Sequence, residues 1–492
     1  MGILKKLASQ TAIYGLSSIF GRFLNYLLVP LYTYYFSAAE YGVVSEFYAY
    51  AGFFSVLLLF GFETGYFRFR DKEGQGKDVA YSTALIFVVL LNLGFFLGVT
   101  LINTPLSAAL NYADHPEYVL WFTIILTLDA ASAIPFARLR AENRAFRFAG
   151  IKVIEILITI LLSLFFIVYC PKLYAENPAE WLAVIYRPSI GLGYIFIANL
   201  IASICKFILL APQLLGMAWG FDRQLFARML RYSSPMVVIG FAGIINEMLD
   251  RALLKYLLPY DLQTNMKMLG IYGACYKLSV LMSLFIQAFR YAAEPFFFAY
   301  ADKSDARPVY ALVLKFFVIF CVFIFLLVTL YIDFFKYFVG EEFRAGLEVV
   351  PILLLANLCL GIYVNLSIWY KLTDRTAMGA WVSLFGAALT VALNVWWIPT
   401  LGYVGSAWAT LACYASMALL SYLLGRVYYP VAYDVKRVVG YVVLGVGLYF
   451  AKGPLQVYSA LQPWLLSTAL MLIYLLLTAL VEHRSLAAVR VK

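Results

Sequence analysis

Apolar stretches about 20 residues long recur through the whole chain, and each matches the length a helix needs to cross the hydrocarbon layer of a bilayer. Fourteen occur, at approximately 10–36, 41–66, 79–102, 116–138, 149–170, 184–209, 232–255, 269–299, 309–332, 346–371, 376–398, 402–424, 438–452 and 463–481, the thirteenth being the shortest. Water could not solvate such a chain. Of its 492 residues 64% are hydrophobic and 13% charged, about half the charge of a soluble domain, and the mean hydropathy is +0.85. The expected fold class is therefore all-α integral membrane, with fourteen transmembrane helices and no sizeable soluble domain.

Charge orients the helices. With the N-terminus inside, 25 of the 37 Lys and Arg fall in inward loops and tails, 7 in outward loops and 5 within spans. A missed or extra helix would scramble this asymmetry, so both termini are expected in the cytoplasm. The net charge of +10 suits anionic lipid or an anionic substrate; nucleic acid is a poor fit because no soluble basic face exists to hold it. The lead-in Met1–Gln10 carries Lys5 and Lys6 but no cleavage-site pattern, so it reads as a short cytoplasmic amphipathic segment, not a signal peptide. The inward stretch 210–231 reads as a linker between two six-helix halves: 1–209, then 232–425, with 426–492 holding the last two helices and the tail. A weak repeat supports this: Glu40-Tyr41-Gly42 opens the second helix, Gly270-Ile271-Tyr272-Gly273 the eighth and Gly402-Tyr403-Val404-Gly405 the twelfth.

Enzyme signatures fail. The six cysteines are scattered without a CxxC pair, so neither a disulfide framework nor a metal site is expected. His115 and His483 lie in a loop and the tail. Gly74-Gln75-Gly76-Lys77 lacks P-loop spacing, and every outward loop is too short to house a glycan polymerase or ligase. No cofactor is expected; coupling to protons or sodium is an open alternative for the carboxylates within the spans.

Charges inside the spans carry the functional reading, because an ionisable group at the bilayer centre costs at least ~2.5 kcal/mol and faces a partner or a wet cavity. Arg22 lies roughly 18 Å into the first helix, too deep to snorkel; it either lines a cavity or sits in a buried ion pair. Lys277 lies roughly 12 Å inside the outer end of the eighth helix, where cavity lining competes with snorkelling. Arg290 and Glu294, at i,i+4, suit mutual pairing, and Arg290 is about 140° around the helix from Lys277. Asp129, in mid-fourth helix, is either a coupling carboxylate or the counter-ion of an arginine such as Arg22. Glu63 and Glu46 lie nearer the ends of the second helix. Glu247, Asp250 and Arg251 form a trio in the seventh for which local pairing is the simpler account.

The chain resembles the polysaccharide (O-antigen type) flippases of the multidrug/oligosaccharidyl-lipid/polysaccharide exporter superfamily. The resemblance rests on Gly21-Arg22, Ser37-Ala38-Ala39-Glu40-Tyr41-Gly42, Gly61-Phe62-Glu63-Thr64-Gly65, Tyr232-Ser233-Ser234-Pro235 with Asp250-Arg251, Gly270-Ile271-Tyr272-Gly273, Tyr276-Lys277-Leu278, Glu294-Pro295 and Gly402-Tyr403-Val404-Gly405-Ser406-Ala407-Trp408. It implies two pseudo-symmetric six-helix lobes around a central cavity plus two C-terminal helices. It also implies transbilayer movement of a polyprenyl-diphosphate oligosaccharide by alternating access across the cell (cytoplasmic, inner) membrane, alongside polysaccharide polymerase machinery. The resemblance aligns Arg22 and Lys277 with cavity arginines and Glu63 with a carboxylate near the end of helix two; with Arg290, the first two are the candidate diphosphate-binding residues, and Asp129 and Glu63 the candidate coupling or gating residues. The related lipid II flippases carry an arginine further back in helix two, where this chain reads Leu57-Leu58-Leu59, and an arginine at the position of Lys277; both departures favour another lipid-linked glycan. The alternatives are lipid II itself and a cation-coupled small-molecule exporter of the same superfamily.

Overall fold

Inside a bilayer no water satisfies backbone N–H and C=O groups, so apolar runs of this length satisfy them internally as helices. The computed structural model describes residues 21, 23–24, 26–70, 77–176, 180–215, 219–301, 303, 306–458 and 462–490. The described residues are helical, without strands. The principal helices are α1 (Leu28–Tyr35), α2 (Ala38–Leu59), α3 (Phe62–Phe69), α4 (Lys77–Leu101), α5 (Pro116–Ala141), α6 (Ala145–Leu164), α7 (Gly193–Leu209), α8 (Arg223–Leu257), α9 (Leu262–Tyr300), α10 (Ala306–Leu330), α11 (Val349–Leu366), α12 (Thr376–Tyr428), α13 (Val435–Tyr458) and α14 (Pro463–Arg490). Ten helical stretches among the described residues are long and apolar enough to cross a membrane. At 1.5 Å per residue, the 53 residues of α12 would extend about 80 Å, more than twice the hydrocarbon thickness. Gly402 resolves this: at φ 64°, ψ −148° it leaves the helical region, as only glycine does readily, and divides α12 between the expected eleventh and twelfth segments. Helices α7 and α8 lie where the sixth and seventh were expected.

The chain forms two compact units: one of the described residues up to Phe36 with Val43–Met248, the other of Ser37–Gly42 with the described residues from Leu249 onward. The linker after α7 packs within the first unit. The Gln213 carbonyl accepts from Tyr81 Oη at 3.0 Å and Arg138 Nη1 at 3.2 Å, and the Asp222 amide donates to Thr83 Oγ1 at 3.2 Å. Around it, Phe62 and Tyr66 of α3, Tyr81, Leu85 and Val88 of α4, Ile134 of α5 and Met229 of α8 form a continuous buried cluster.

The second unit shows how helices associate where lipid removes most of the hydrophobic driving force: small residues let backbones touch. The first turn of α2 crosses α9 there. A Cβ on Gly42 would sit 2.1 Å from the Met266 carbonyl oxygen, and one on Gly270 1.8 Å from that of Ala38. These are the glycines of the repeated Tyr-Gly and Gly-Ile-Tyr-Gly motifs. The turn is set by a capping box, in which the Ser37 amide and hydroxyl each donate to Glu40 Oε2 at 2.8 Å. Outside the spans, Glu342 Oε2 accepts the Ala38 amide at 3.0 Å and Oε1 pairs with Lys267 at 3.0 Å. The Ala38 hydrogen bond first, then Lys267, hold the Glu342 carboxyl below the usual range. Asp261 caps α9 by accepting the Thr264 hydroxyl at 2.7 Å and amide at 3.0 Å, which lowers its carboxyl likewise.

The two C-terminal helices are fastened by charge. Glu482 of α14, 2% exposed at its side chain, accepts from Lys315 of α10, from Tyr441 Oη of α13 at 2.7 Å and from Arg437 Nη1 at 3.3 Å.

Candidate functional site

Helices α8 and α9 run antiparallel through a short connection, and their side chains make the most substrate-like arrangement in the second unit. Asp250, 4% exposed, accepts the Tyr272 hydroxyl on one oxygen and the Arg251 amide on the other at 2.8 Å. The Arg251 guanidinium lies over the Tyr276 ring, 4.0 Å from its centroid. Lys277, half-buried, is the next residue along α9. Arg251 of α8 thus stacks on the residue that precedes Lys277 in α9. The guanidinium's planar fork matches phosphate oxygens bidentately, and the ammonium adds a compact point charge. Of the trio Glu247, Asp250 and Arg251, for which local pairing is the simpler expectation, Asp250 is held by the Tyr272 hydroxyl of the next helix and by the Arg251 backbone amide.

Arg290, toward the far end of α9, is 63% exposed at its side chain, with Nε 3.9 Å from Glu294. Glu294 also accepts from Lys371. The structure therefore places Arg290 beside a carboxylate, as the i,i+4 spacing anticipates, and not at the level of Lys277. Arg22 lies outside the described residues.

The first unit carries a buried ion network of its own. Lys206, in the last turn of α7 and 2% exposed, donates to Asp129 of α5 and Glu155 of α6, each at 2.6 Å. Ser203 Oγ also donates to Asp129 at 2.7 Å, and Lys152 pairs with Glu155 at 3.1 Å. The counter-ion of Asp129 among the described residues is thus a lysine that loop counting had assigned to the helix end. Glu155, inside the fifth apolar run, was findable by the criterion that singled out Asp129. Glu63 pairs with Arg140, whose guanidinium lies 5.2 Å from the Phe67 ring centroid. Glu46, fully buried, accepts the hydroxyls of Tyr50 at 2.6 Å and Tyr112. Among the described residues no group of three or more His, Cys, Asp or Glu is arranged to hold a metal.

Long apolar helices, backbone-to-backbone crossings and intramembrane ion networks define a multi-pass membrane protein with a transporter fold. Residues 7–301, more than half the chain, match the family described as polysaccharide biosynthesis protein, and the chain belongs to that family. Its fold is similar to that of a lipid II flippase, MurJ, in an inward closed conformation: the TM-score is 0.73 at 14% identity, covering 96% of this chain and 99% of that one. It is also similar to a multidrug resistance MATE family transporter of the MOP superfamily, inward-facing (TM-score 0.63, 13% identity, 85% and 94% covered) and outward-facing (0.59, 13%, 85% and 95%). No curated protein sequence matches the chain.

Proposed function

We propose that this protein is a flippase that moves a polyprenyl-diphosphate-linked oligosaccharide from the cytoplasmic to the outer leaflet of the cell membrane, for surface polysaccharide assembly. The family supplies the context of polysaccharide biosynthesis, and the fold is one shared with a lipid II flippase. The observation that carries the reading is that Arg251 of α8 lies over the ring of Tyr276, whose neighbour in α9 is Lys277. A diphosphate needs cations in a low-dielectric site, where each ion pair is stronger than in water. Arg22, outside the described residues, is a further cation expected from the sequence to meet the diphosphate. The sugars need a wet polar route, and the polyprenyl tail can stay in lipid while two lobes rock about the bound headgroup. Asp129, 46% exposed at its side chain and hydrogen-bonded to Lys206 and Ser203, is the candidate for proton or sodium coupling; Glu63, closed on Arg140, is the lesser one.

The test is flipping in proteoliposomes. A polyprenyl-diphosphate oligosaccharide is loaded and its accessibility to an outside reagent followed for wild type, Lys277→Ala and Arg22→Ala. Protein-dependent flipping that disappears in both variants supports the reading. Wild-type rates in both variants, with intact folding, would sink the assignment of the diphosphate to these cations. Absence of flipping across several glycans, with efflux of a small cationic drug in its place, would select the exporter alternative that the MATE-like fold leaves open.

A further inference from the structure

A cavity of 370 Å³ opens in the second unit where α10 begins and α12 gives way to α13. Its lining divides by chemistry. Ala311 and Leu312, on the first turns of α10, and Pro430 form an apolar part, whereas Arg307, Lys315 and Asp434 contribute charge. These residues lie at the ends of membrane-crossing helices, so the cavity sits at the depth of lipid headgroups. Lys315 is committed to the buried Glu482. Arg307 is exposed, with its guanidinium held 4.9 Å above the Tyr429 ring centroid. Asp434 caps α13 through the Arg437 amide at 3.1 Å and pairs with Arg437 Nε at 3.2 Å, its side chain remaining 44% exposed.

We propose that this cavity binds the headgroup of an aminophospholipid, with the phosphate on Arg307, the primary ammonium on Asp434 and the start of an acyl chain along Ala311 and Leu312. A cation and a carboxylate lining one cavity complement a zwitterion. A purely anionic headgroup would meet Asp434 unfavourably, and a quaternary ammonium has no N–H with which to reach it. The apolar part argues for a lipid over a free phosphate ester. A partly desolvated charge-assisted hydrogen bond changes affinity by about tenfold: the ammonium–Asp434 bond separates phosphatidylethanolamine from phosphatidylcholine, and the Arg307–phosphate bond is common to the lipids. The site is separate from Arg251 and Lys277 and stands or falls independently of the flippase reading.

The experiment is lipid titration of the purified full-length protein in detergent, read by native mass spectrometry, with phosphatidylethanolamine, phosphatidylglycerol and phosphatidylcholine of identical acyl chains. Wild type is expected to prefer phosphatidylethanolamine over phosphatidylcholine by about tenfold. Arg307→Ala is expected to weaken phosphatidylethanolamine and phosphatidylglycerol alike, Arg307→Lys to restore part of the loss, and Asp434→Asn to bring phosphatidylethanolamine to the phosphatidylcholine level while sparing phosphatidylglycerol. Equal binding of the three lipids by wild type would overturn the proposal, as would undiminished phosphatidylethanolamine binding by a monodisperse Arg307→Ala protein. Competition by soluble glycerophosphoethanolamine as effective as the lipid would overturn the lipid assignment and leave a phosphate–amine site.

Discussion

The Lys206 network of the first unit and the Asp250–Arg251 arrangement of the second differ in how they hold charge, although the second unit also carries a buried ion network of its own at Glu482. In the first, Lys206 bridges Asp129 and Glu155, Lys152 adds to Glu155, and Arg140 closes on Glu63. In the second, Asp250 is occupied by a tyrosine hydroxyl and a backbone amide, and Arg251 rests on the face of an aromatic ring beside Lys277. A carboxylate met by an ammonium neutralises it; a ring face positions a guanidinium through the quadrupole of its π-system. The first arrangement serves integrity, since removing one member strands another in low dielectric. The second sets a guanidinium on an aromatic ring beside the residue proposed to meet the headgroup.

Substitutions can break this contrast. The largest stability effect is expected for Lys206→Met, which leaves the Glu155 and Asp129 carboxylates without their shared cation. Breaking a buried pair by removing one partner costs about 3–5 kcal/mol, seen as a lowered thermal midpoint in detergent, and adding Glu155→Gln with Asp129→Asn should return most of it. If Lys206→Met unfolds at the wild-type temperature, the first unit does not depend on its network. Next comes Arg251→Ala. It should slow flipping at least tenfold, the loss of a charge-assisted hydrogen bond worth roughly 1.5–3 kcal/mol, yet shift stability far less than Lys206→Met. The reverse order of effects would erase the distinction between the units. Tyr272→Phe is smaller again: it removes the hydroxyl from buried Asp250, for about 1–3 kcal/mol of stability, with Arg251 still in place.

The smallest effect concerns pH. The Glu342 carboxyl is held below its usual range by the Ala38 amide and Lys267, so its contribution is present above the unfolded-state pKa and is lost as pH falls through the lowered folded value. Hydrogen exchange at the Ala38 amide should accelerate as pH is taken below the ordinary carboxylate range, beyond the intrinsic pH dependence of exchange. Glu342→Gln should flatten that excess; an unchanged excess in the variant would show that another group titrates.

Much of the fold was legible because a bilayer imposes few choices. Apolar length identified helices, and Gly402, already inside a repeated motif, marked where one 53-residue helix becomes two. The glycines of two weak repeats, Gly42 and Gly270, meet at one crossing, which periodicity could not foresee because a tertiary contact leaves no trace in spacing. The site was less legible for the same reason. Asp250 and Arg251 are neighbours in sequence, but adjacent helical side chains diverge by about 100°, and the partner of Asp250 came from the next helix. Lys206 read as a loop cation because it lies at a helix end; only packing shows that its ammonium turns back among α5 and α6. Arg290 followed its local spacing, since an i,i+4 pair is a property of one helix alone.

The carboxylate of Glu482 gives the last stretch of the chain an importance that its position would not announce. It stands ten residues before the last residue of the sequence and draws Lys315, Arg437 and Tyr441 together. Trimming a terminus for expression or fusing a reporter there is usually a matter of convenience. In this protein a truncation that stops before residue 482 would leave two cations facing one another across α10 and α13, whereas an addition after residue 492 would leave the clasp whole.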